Sequence, residues 1–361
     1  MVWSEREYSE KTARVRALLG EKGLQGILLT SQTNFGWLTG GRPYVNTAVE
    51  KACADLLVTA DRVYLLANNI EAERLAKEEL AGLPLETLSY NWWEPEGLRT
   101  QVRSIVDETK TATDSQLGLD FARLRWVMTA EELTRYRDTG RQVGQILEEI
   151  AFQIKPGASE KEIADQIKIA ATVQGIQANV ALVAVDDRTY LYRHPVPTDK
   201  RLRQYAMLCL SGQRQGLYVS ASRLVHFGAV PQDITARLAA VVKVDAAFIA
   251  ATVPGAIVKD VFDAGLRAYE AVGFGQEWTR HHQGGMAGYN AREFRAGPAV
   301  TETVRAGQVY AWNPTIAGVK SEDTFIVTAA GREIITGSPL FPVIDVEYEK
   351  GIIKRPDILI R

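Results

Sequence analysis

The stretch that decides the fold opens with Arg193-His194-Pro195-Val196-Pro197 and closes with Ser321-Glu322-Asp323-Thr324. Between these two segments lie three more landmarks, which are in chain order Cys209 to Arg223, His281-His282-Gln283-Gly284-Gly285-Met286-Ala287-Gly288, and Trp312-Asn313-Pro314. Each landmark is a weak signal alone. Their shared order along the chain makes the fold assignment strong.

The elements predicted around these landmarks are of mixed type. A helix is expected over 131–154, ending at Lys155-Pro156-Gly157, and Ser159 with Glu162 reads as the capped start of the next helix. Antiparallel strands at 205–210 and 217–222, two helices between 232 and 272, and closing strands at 308–312 and 323–327 complete the set.

The N-terminal part has an alternating α/β pattern. The predicted elements are a helix over 8–23, strands at 26–30, 55–59, 63–66 and 117–120, and a helix over 70–80. We therefore expect two domains, residues 1–125 and 126–361.

Composition narrows the kind of ligand. The 361 residues carry a net charge of −2, so no overall field favours nucleic acid or an anionic membrane, and a small or peptide-like ligand is expected. Two distant cysteines, Cys53 and Cys209, and a charged N-terminal segment predict a cytoplasmic protein without disulfides.

In order and spacing, the landmarks resemble the pita-bread family of methionine aminopeptidase, prolidase, aminopeptidase P and creatinase. Two N-terminal segments, 33–40 (TNFGWLTG) and 71–74 (EAER), extend the resemblance to the creatinase and aminopeptidase P branch. The resemblance implies a creatinase-like N-terminal α/β domain, a C-terminal pita-bread (α+β) domain, and a homodimer.

The family's peptidases hold two metal ions with Asp, Asp, His, Glu and Glu. The corresponding positions here are Cys209, Ser220, Gly285, Asn313 and Glu322, so only the last supplies the family's residue type. One carboxylate among a thiol, a hydroxyl, an amide and a glycine lacks the charge that two divalent ions need. We predict no metal and no cofactor. A single ion on Cys209, one histidine and Glu322 is an alternative on ligand type.

The same resemblance assigns the remaining chemistry. His194 stands where the family has a substrate-facing histidine, and His194, His281 and Glu322 are the candidate catalytic residues. Candidate substrate-binding residues are Arg42, Tyr44 and Asn313. The guanidinium group of Arg42 is suited to bind a substrate carboxylate through two hydrogen bonds. The pair Trp92-Trp93 is expected at the dimer interface.

Three functions follow from this pattern. The first is a metal-independent relative that binds a small peptide-like molecule and hydrolyses an amide or amidine C–N bond in it. The second is a catalytically inactive binding protein that keeps the peptidase scaffold. The third is an Xaa-Pro dipeptidase or aminopeptidase with an atypical metal site.

Overall fold

The computed structural model describes residues 2–349 and 351–361, and the chain divides into two compact units between Val127 and Met128. Both units combine helices with sheets, so the predicted α/β class is confirmed. None of the helices in the described ranges is long and apolar enough to span a bilayer.

The first unit is built on a five-stranded mixed sheet in the order β4-β3-β2-β1-β5. Its strands are β1 (Gly26–Ser31), β2 (Lys51–Val58), β3 (Val63–Asn68), β4 (Glu86–Tyr90) and β5 (Thr111–Thr113). Its helices are α1 (Glu5–Glu21), α2 (Gln32–Thr39), α3 (Ala72–Arg74, continued by a π-helical turn Leu75–Glu79), α4 (Gly97–Ile105), α5 (Asp114–Leu117) and α6 (Leu119–Ala122).

One predicted strand of this unit is wrong. Leu117 ends α5, and Leu119 and Asp120 begin α6, while the short strand β5 ends earlier, at Thr113. The reason is local, because Thr113 and Gln116 form a reciprocal capping box that starts a helix at Asp114. Gly118 then separates α5 from α6 with a positive φ of 52°.

The second unit begins with α7 (Ala130–Gln153) and α8 (Glu160–Val173), whose start at Ser159 has the predicted capping box with Glu162. A four-stranded sheet follows in the order β18-β8-β7-β6, with β6 at Gln177–Val185, β7 at Tyr205–Arg214, β8 at Leu217–His226 and β18 at Ile358–Ile360. The remaining helices are α9 (Arg188–Leu191), α10 (Gln232–Ala251) and α11 (Val258–Ala271).

A second sheet of this unit has the order β10-β9-β11-β14-β15. Its strands are β9 (Gly284–Ala287), β10 (Phe294–Arg295), β11 (Val309–Trp312), β14 (Asp323–Thr328) and β15 (Gly331–Ile334). Two separate two-stranded sheets pair β12 (Thr315–Ile316) with β13 (Val319–Lys320), and β16 (Val343–Tyr348) with β17 (Gly351–Pro356). The two larger sheets meet where the Ser222 N–H donates to the Glu322 carbonyl oxygen at 3.1 Å. This contact brings the sequence landmarks together.

Candidate functional site

The β7–β8 hairpin presents four small polar side chains on one face. Its register pairs Cys209 with Ser222 and Ser211 with Ser220, and residues two apart on a strand point to the same side. The Ser220 hydroxyl donates to the Ser211 Oγ at 3.0 Å, and the Ser222 hydroxyl donates to Glu322 Oε2 at 2.6 Å. The two hairpin positions of the implied ligand set therefore hold a thiol and a hydroxyl that is already bonded.

Glu322 is buried and has protein cations as its partners. Lys320 Nζ lies 2.7 Å from Glu322 Oε2, with both side chains less than a tenth exposed, and Arg292 Nη2 lies 3.7 Å from Oε1. Burial raises the pKa of Glu322, but Lys320 and Arg292 outweigh it and hold that pKa below its ordinary value. Glu322 is thus ionised, and the cations of Lys320 and Arg292 balance its negative charge.

Cys209 does not provide a thiolate at this place. Burial raises the pKa of its thiol, and Lys320 Nζ lies 3.9 Å from the sulfur. The same ammonium contacts Glu322, so a lysine cation occupies the space in which an ion shared by Cys209 and Glu322 would have to sit. The alternative of a single ion on Cys209, a histidine and Glu322 does not fit this geometry.

Gly285 lies on a strand that leaves no room for any side chain. Its φ is +149°, and a Cβ atom added there would be 2.3 Å from the Phe294 carbonyl oxygen and 2.8 Å from the Ala296 nitrogen. Both neighbours are backbone atoms that cannot rotate away. A ligand side chain at this position is sterically excluded.

Asn313 is buried beside Gln283, whose carbonyl oxygen accepts from the Asn313 N–H at 3.1 Å. Its side-chain Oδ1 has no hydrogen-bond partner among the described residues. An amide oxygen is a neutral ligand and adds no negative charge to the site. Asn313 remains a candidate substrate-binding residue, because its unpaired acceptor is free to receive a donor from a ligand.

The residues present do not fit the pair of divalent ions that the resemblance implies. A nearby acid, Asp323, cannot compensate, since it binds Arg223 at 3.1 Å and Arg355 at 2.9 Å. Glu322 is then the single carboxylate among the five positions, and it forms an ion pair with Lys320. Two closely spaced dications require several anionic oxygens that this arrangement lacks.

Three histidines meet beside this cluster. His194 Nε2 and His281 Nε2 are 3.1 Å apart, and one ring nitrogen from each of His194, His281 and His282 lies within 4.8 Å of the others. His281 is buried, His282 is half-buried and His194 is exposed. The structure therefore brings together the two histidines predicted to be catalytic and adds a third.

The histidines are held as neutral imidazoles. Burial, reinforced by Lys320 and by the neighbouring rings, lowers the pKa of His281 to about 2, and burial followed by Arg292 lowers that of His282 to about 4. The pKa of His194 is lowered as well, chiefly by desolvation. Each ring therefore keeps a lone pair near neutral pH.

A cavity of 550 Å³ opens over the histidines. Its lining combines cationic, imidazole, aromatic and small residues: Arg193, His194, Phe262, Trp278, Thr279, Arg280, His281, His282, Gln283, Arg295, Ala296, Gly297 and Pro298. Arg193 is ion-paired with Glu277. Arg280 and Arg295 are exposed and form no ion pair with any residue in 2–349 or 351–361. No carboxylate lines the cavity, so its character is cationic with an aromatic wall.

Arg42 and Tyr44 belong to the first unit. The Arg42 guanidinium pairs with Glu79, with Nη2 2.7 Å from Oε1 and Nε 3.1 Å from both carboxylate oxygens. The fork that was expected to grip a ligand is thus engaged within its own unit. Tyr44 is exposed, and so are Trp92 and Trp93, whose rings contact each other edge to face at 5.8 Å.

Sequence reasoning missed Lys320 and Arg292 and did not place His282 among the site residues. Lys320 ends β13 and Glu322 precedes β14, so their closeness in sequence is the one signal for this contact that the chain offers. Arg292 lies in a loop between β9 and β10, and no periodicity indicates its contact with Glu322. His282 joins the cluster because its segment precedes β9 in irregular structure, where adjacent side chains need not diverge.

Two family models match the sequence. One, described as metallopeptidase family M24, matches residues 134–329, and the Creatinase/Prolidase N-terminal domain matches residues 11–150. An uncharacterized peptidase of Bacillus subtilis, YqhT, is 24% identical over 354 residues, covering 91% of this chain and 98% of the relative.

Solved structures resemble the whole chain at low identity. The Xaa-Pro dipeptidase from Bacillus anthracis superposes with a TM-score of 0.77 at 17% identity, covering 98% of this chain and 100% of that one. The prolidase from Pyrococcus horikoshii OT3 gives 0.75 at 17% identity, with 91% and 99% covered. These likenesses confirm the predicted fold, a creatinase-like N-terminal domain followed by a pita-bread domain.

Proposed function

The chain belongs to metallopeptidase family M24, and from this premise we propose that its C-terminal cavity binds a small, carboxylate-bearing, peptide-like molecule without a dinuclear metal centre. The observation that carries the proposal is the pairing of the one retained carboxylate, Glu322, with the Lys320 ammonium at 2.7 Å. Side-chain cations take the place of the missing metal charge. The scaffold and its cavity are kept, while the water-activating centre is not.

The charge of the cavity supports an anionic ligand. Arg280 and Arg295 line it without an ion-pair partner among the described residues, and the guanidinium fork binds carboxylates bidentately. The aromatic wall of Phe262 and Trp278, in edge-to-face contact at 5.9 Å, suits an apolar or cyclic group beside that carboxylate. A dipeptide or an N-acyl amino acid has both features.

Hydrolysis of a C–N bond in that ligand is a second candidate function, favoured by the contact between His194 and His281. A neutral His194 is able to accept a proton from a water molecule that attacks the carbonyl carbon, and to pass this proton to the leaving amine as the C–N bond breaks. His194→Ala then abolishes product formation while leaving binding within a fewfold of wild type. Binding without any product in the wild-type protein supports the catalytically inactive alternative.

The binding proposal is tested by comparing ligands that differ only in one carboxylate. Titration calorimetry with Xaa-Pro dipeptides and N-acyl amino acids is expected to show that the free acids bind. Their carboxamides are expected to bind at least about tenfold more weakly, a difference in binding free energy of about 1.4 kcal/mol. Arg295→Met is expected to remove this preference, because it removes a cation that lines the cavity.

The matched control is Arg267→Met, an exposed arginine on α11 that does not line the cavity and is expected to leave binding unchanged. Equal affinity for acids and carboxamides contradicts the proposal, and so does manganese-dependent cleavage of the dipeptides. The part of Arg42 and Tyr44 in a homodimer remains a prediction that this experiment does not need.

A further inference from the structure

We infer that His194, His281 and His282 form a site for a single borderline transition-metal ion, such as Zn²⁺ or Co²⁺, at the floor of the cavity. The inference goes beyond the proposed function and does not depend on it. The site is separate in its ligands from the five positions of the implied dinuclear centre, since it shares no residue with Cys209, Ser220, Gly285, Asn313 or Glu322.

Distance is the first support. Imidazole nitrogens bound to one tetrahedral zinc ion at about 2.0–2.1 Å lie about 3.3 Å apart. His194 Nε2 and His281 Nε2 are 3.1 Å apart, and the set with His282 spans 4.8 Å, so a small rotation of one ring completes a three-nitrogen face.

Unsatisfied ring nitrogens are the second support. His281 Nδ1 and His282 Nδ1 are buried and have no hydrogen-bond partner among the described residues. A buried polar atom without a partner is costly, so such an atom is a candidate ligand. The Nδ1 lone pair of His282 gains a partner when that atom binds the ion, whereas His281 binds through the Nε2 that faces His194.

Ligand type and access decide which ion fits. Three imidazoles with no carboxylate suit zinc, cobalt, nickel or copper and do not suit magnesium or calcium, which require oxygen ligands. His194 is exposed and all three rings line the cavity, so an ion reaches them from solvent. Three protein ligands leave a fourth position open for water or for a carboxylate drawn in by Arg280 and Arg295.

The four histidines of the chain provide their own control. His226 lies outside the cluster, is buried in β8, and has its Nδ1 3.1 Å from the Gly228 carbonyl oxygen. The full chain, stripped with chelator and titrated with Zn²⁺ or Co²⁺ alone, is expected to bind one ion, and Co²⁺ is expected to give the visible absorption of a nitrogen-ligated ion. Mg²⁺ and Ca²⁺ are expected not to bind.

Loss of a group that only hydrogen-bonds to a metal ligand costs about 10–100-fold in metal affinity, so His194→Ala and His282→Asn, which remove ligands, are each expected to cost at least about 100-fold. His226→Gln is expected to leave the affinity unchanged. Because His194 is exposed, its variant is expected to fold normally, which a thermal unfolding curve checks. Absence of Zn²⁺ and Co²⁺ binding, or binding unaffected by both cluster variants, overturns the inference and leaves the proposed function standing. Failure of carboxylate ligands to bind overturns the proposed function and leaves this site standing.

Discussion

Gly285→His, which restores the histidine that the resemblance places at this position, is expected to destabilise the fold by about 3 kcal/mol or more and to recruit no metal. Gly285 has a φ of +149°, and its added Cβ would lie 2.3 Å from the Phe294 carbonyl oxygen. The strain begins at the Cβ, so Gly285→Ala is expected to show most of the same loss. Chemical denaturation of both variants measures it.

Gly297→Ala is the matched control for this pair. Gly297 lines the same cavity, but an added Cβ there meets no atom within 4 Å, so a change of less than about 0.5 kcal/mol is expected. If Gly285→His folds with the wild-type stability, the backbone does yield there, and the steric reason for the missing ligand is wrong.

Lys320→Met is expected to cost about 3–5 kcal/mol, because it leaves Glu322 as a buried carboxylate without its nearest cation. The direction of the pH dependence follows from the pKa of Glu322, which Lys320 and Arg292 lower. In wild type, the ionised Glu322 stabilises the fold above its ordinary pKa of 4.5, and this stability is lost as the pH falls through the lowered value. In Lys320→Met that pKa rises, so the destabilisation relative to wild type grows as the pH increases from the lowered wild-type pKa through the higher pKa of the variant.

A double variant separates this charge effect from lost packing. Lys320→Met combined with Glu322→Gln removes both charges, and it is expected to recover at least half of the loss at pH 7. Lys259→Met is the control, because its ion pair with Asp263 is on the surface and is expected to contribute less than about 1 kcal/mol. Additive effects of the two buried changes contradict the view that Lys320 is the counter-ion of Glu322.

The sequence predicts the fold well wherever a local signal and a periodic pattern agree. Ser159 with Glu162 marks the start of α8, and the two strand candidates at 205–210 and 217–222 predict the β7–β8 hairpin. The error at 117–120 arises because a segment of four residues with two leucines does not distinguish strand from helix, whereas the capping box at Thr113 does.

The candidate site is only partly visible in the sequence. Motif spacing places His194, His281 and Glu322 in one unit, since each landmark has a fixed position in the fold. The contact of Lys320 with both Cys209 and Glu322 depends on side-chain directions across two sheets, which spacing does not encode. The crowding at Gly285 depends on the backbone of residues 294–296 and is equally invisible to a linear pattern.

The metal content of the full chain tests the central claim most directly. The protein is purified without chelator, supplied with Mn²⁺, Co²⁺ or Zn²⁺, and its bound ions are counted by mass spectrometry for wild type and for His194→Ala/His282→Asn. We expect at most one ion per chain in wild type and none in the double variant. Two ions per chain that persist in the double variant, together with manganese-dependent cleavage of an Xaa-Pro dipeptide, contradict it.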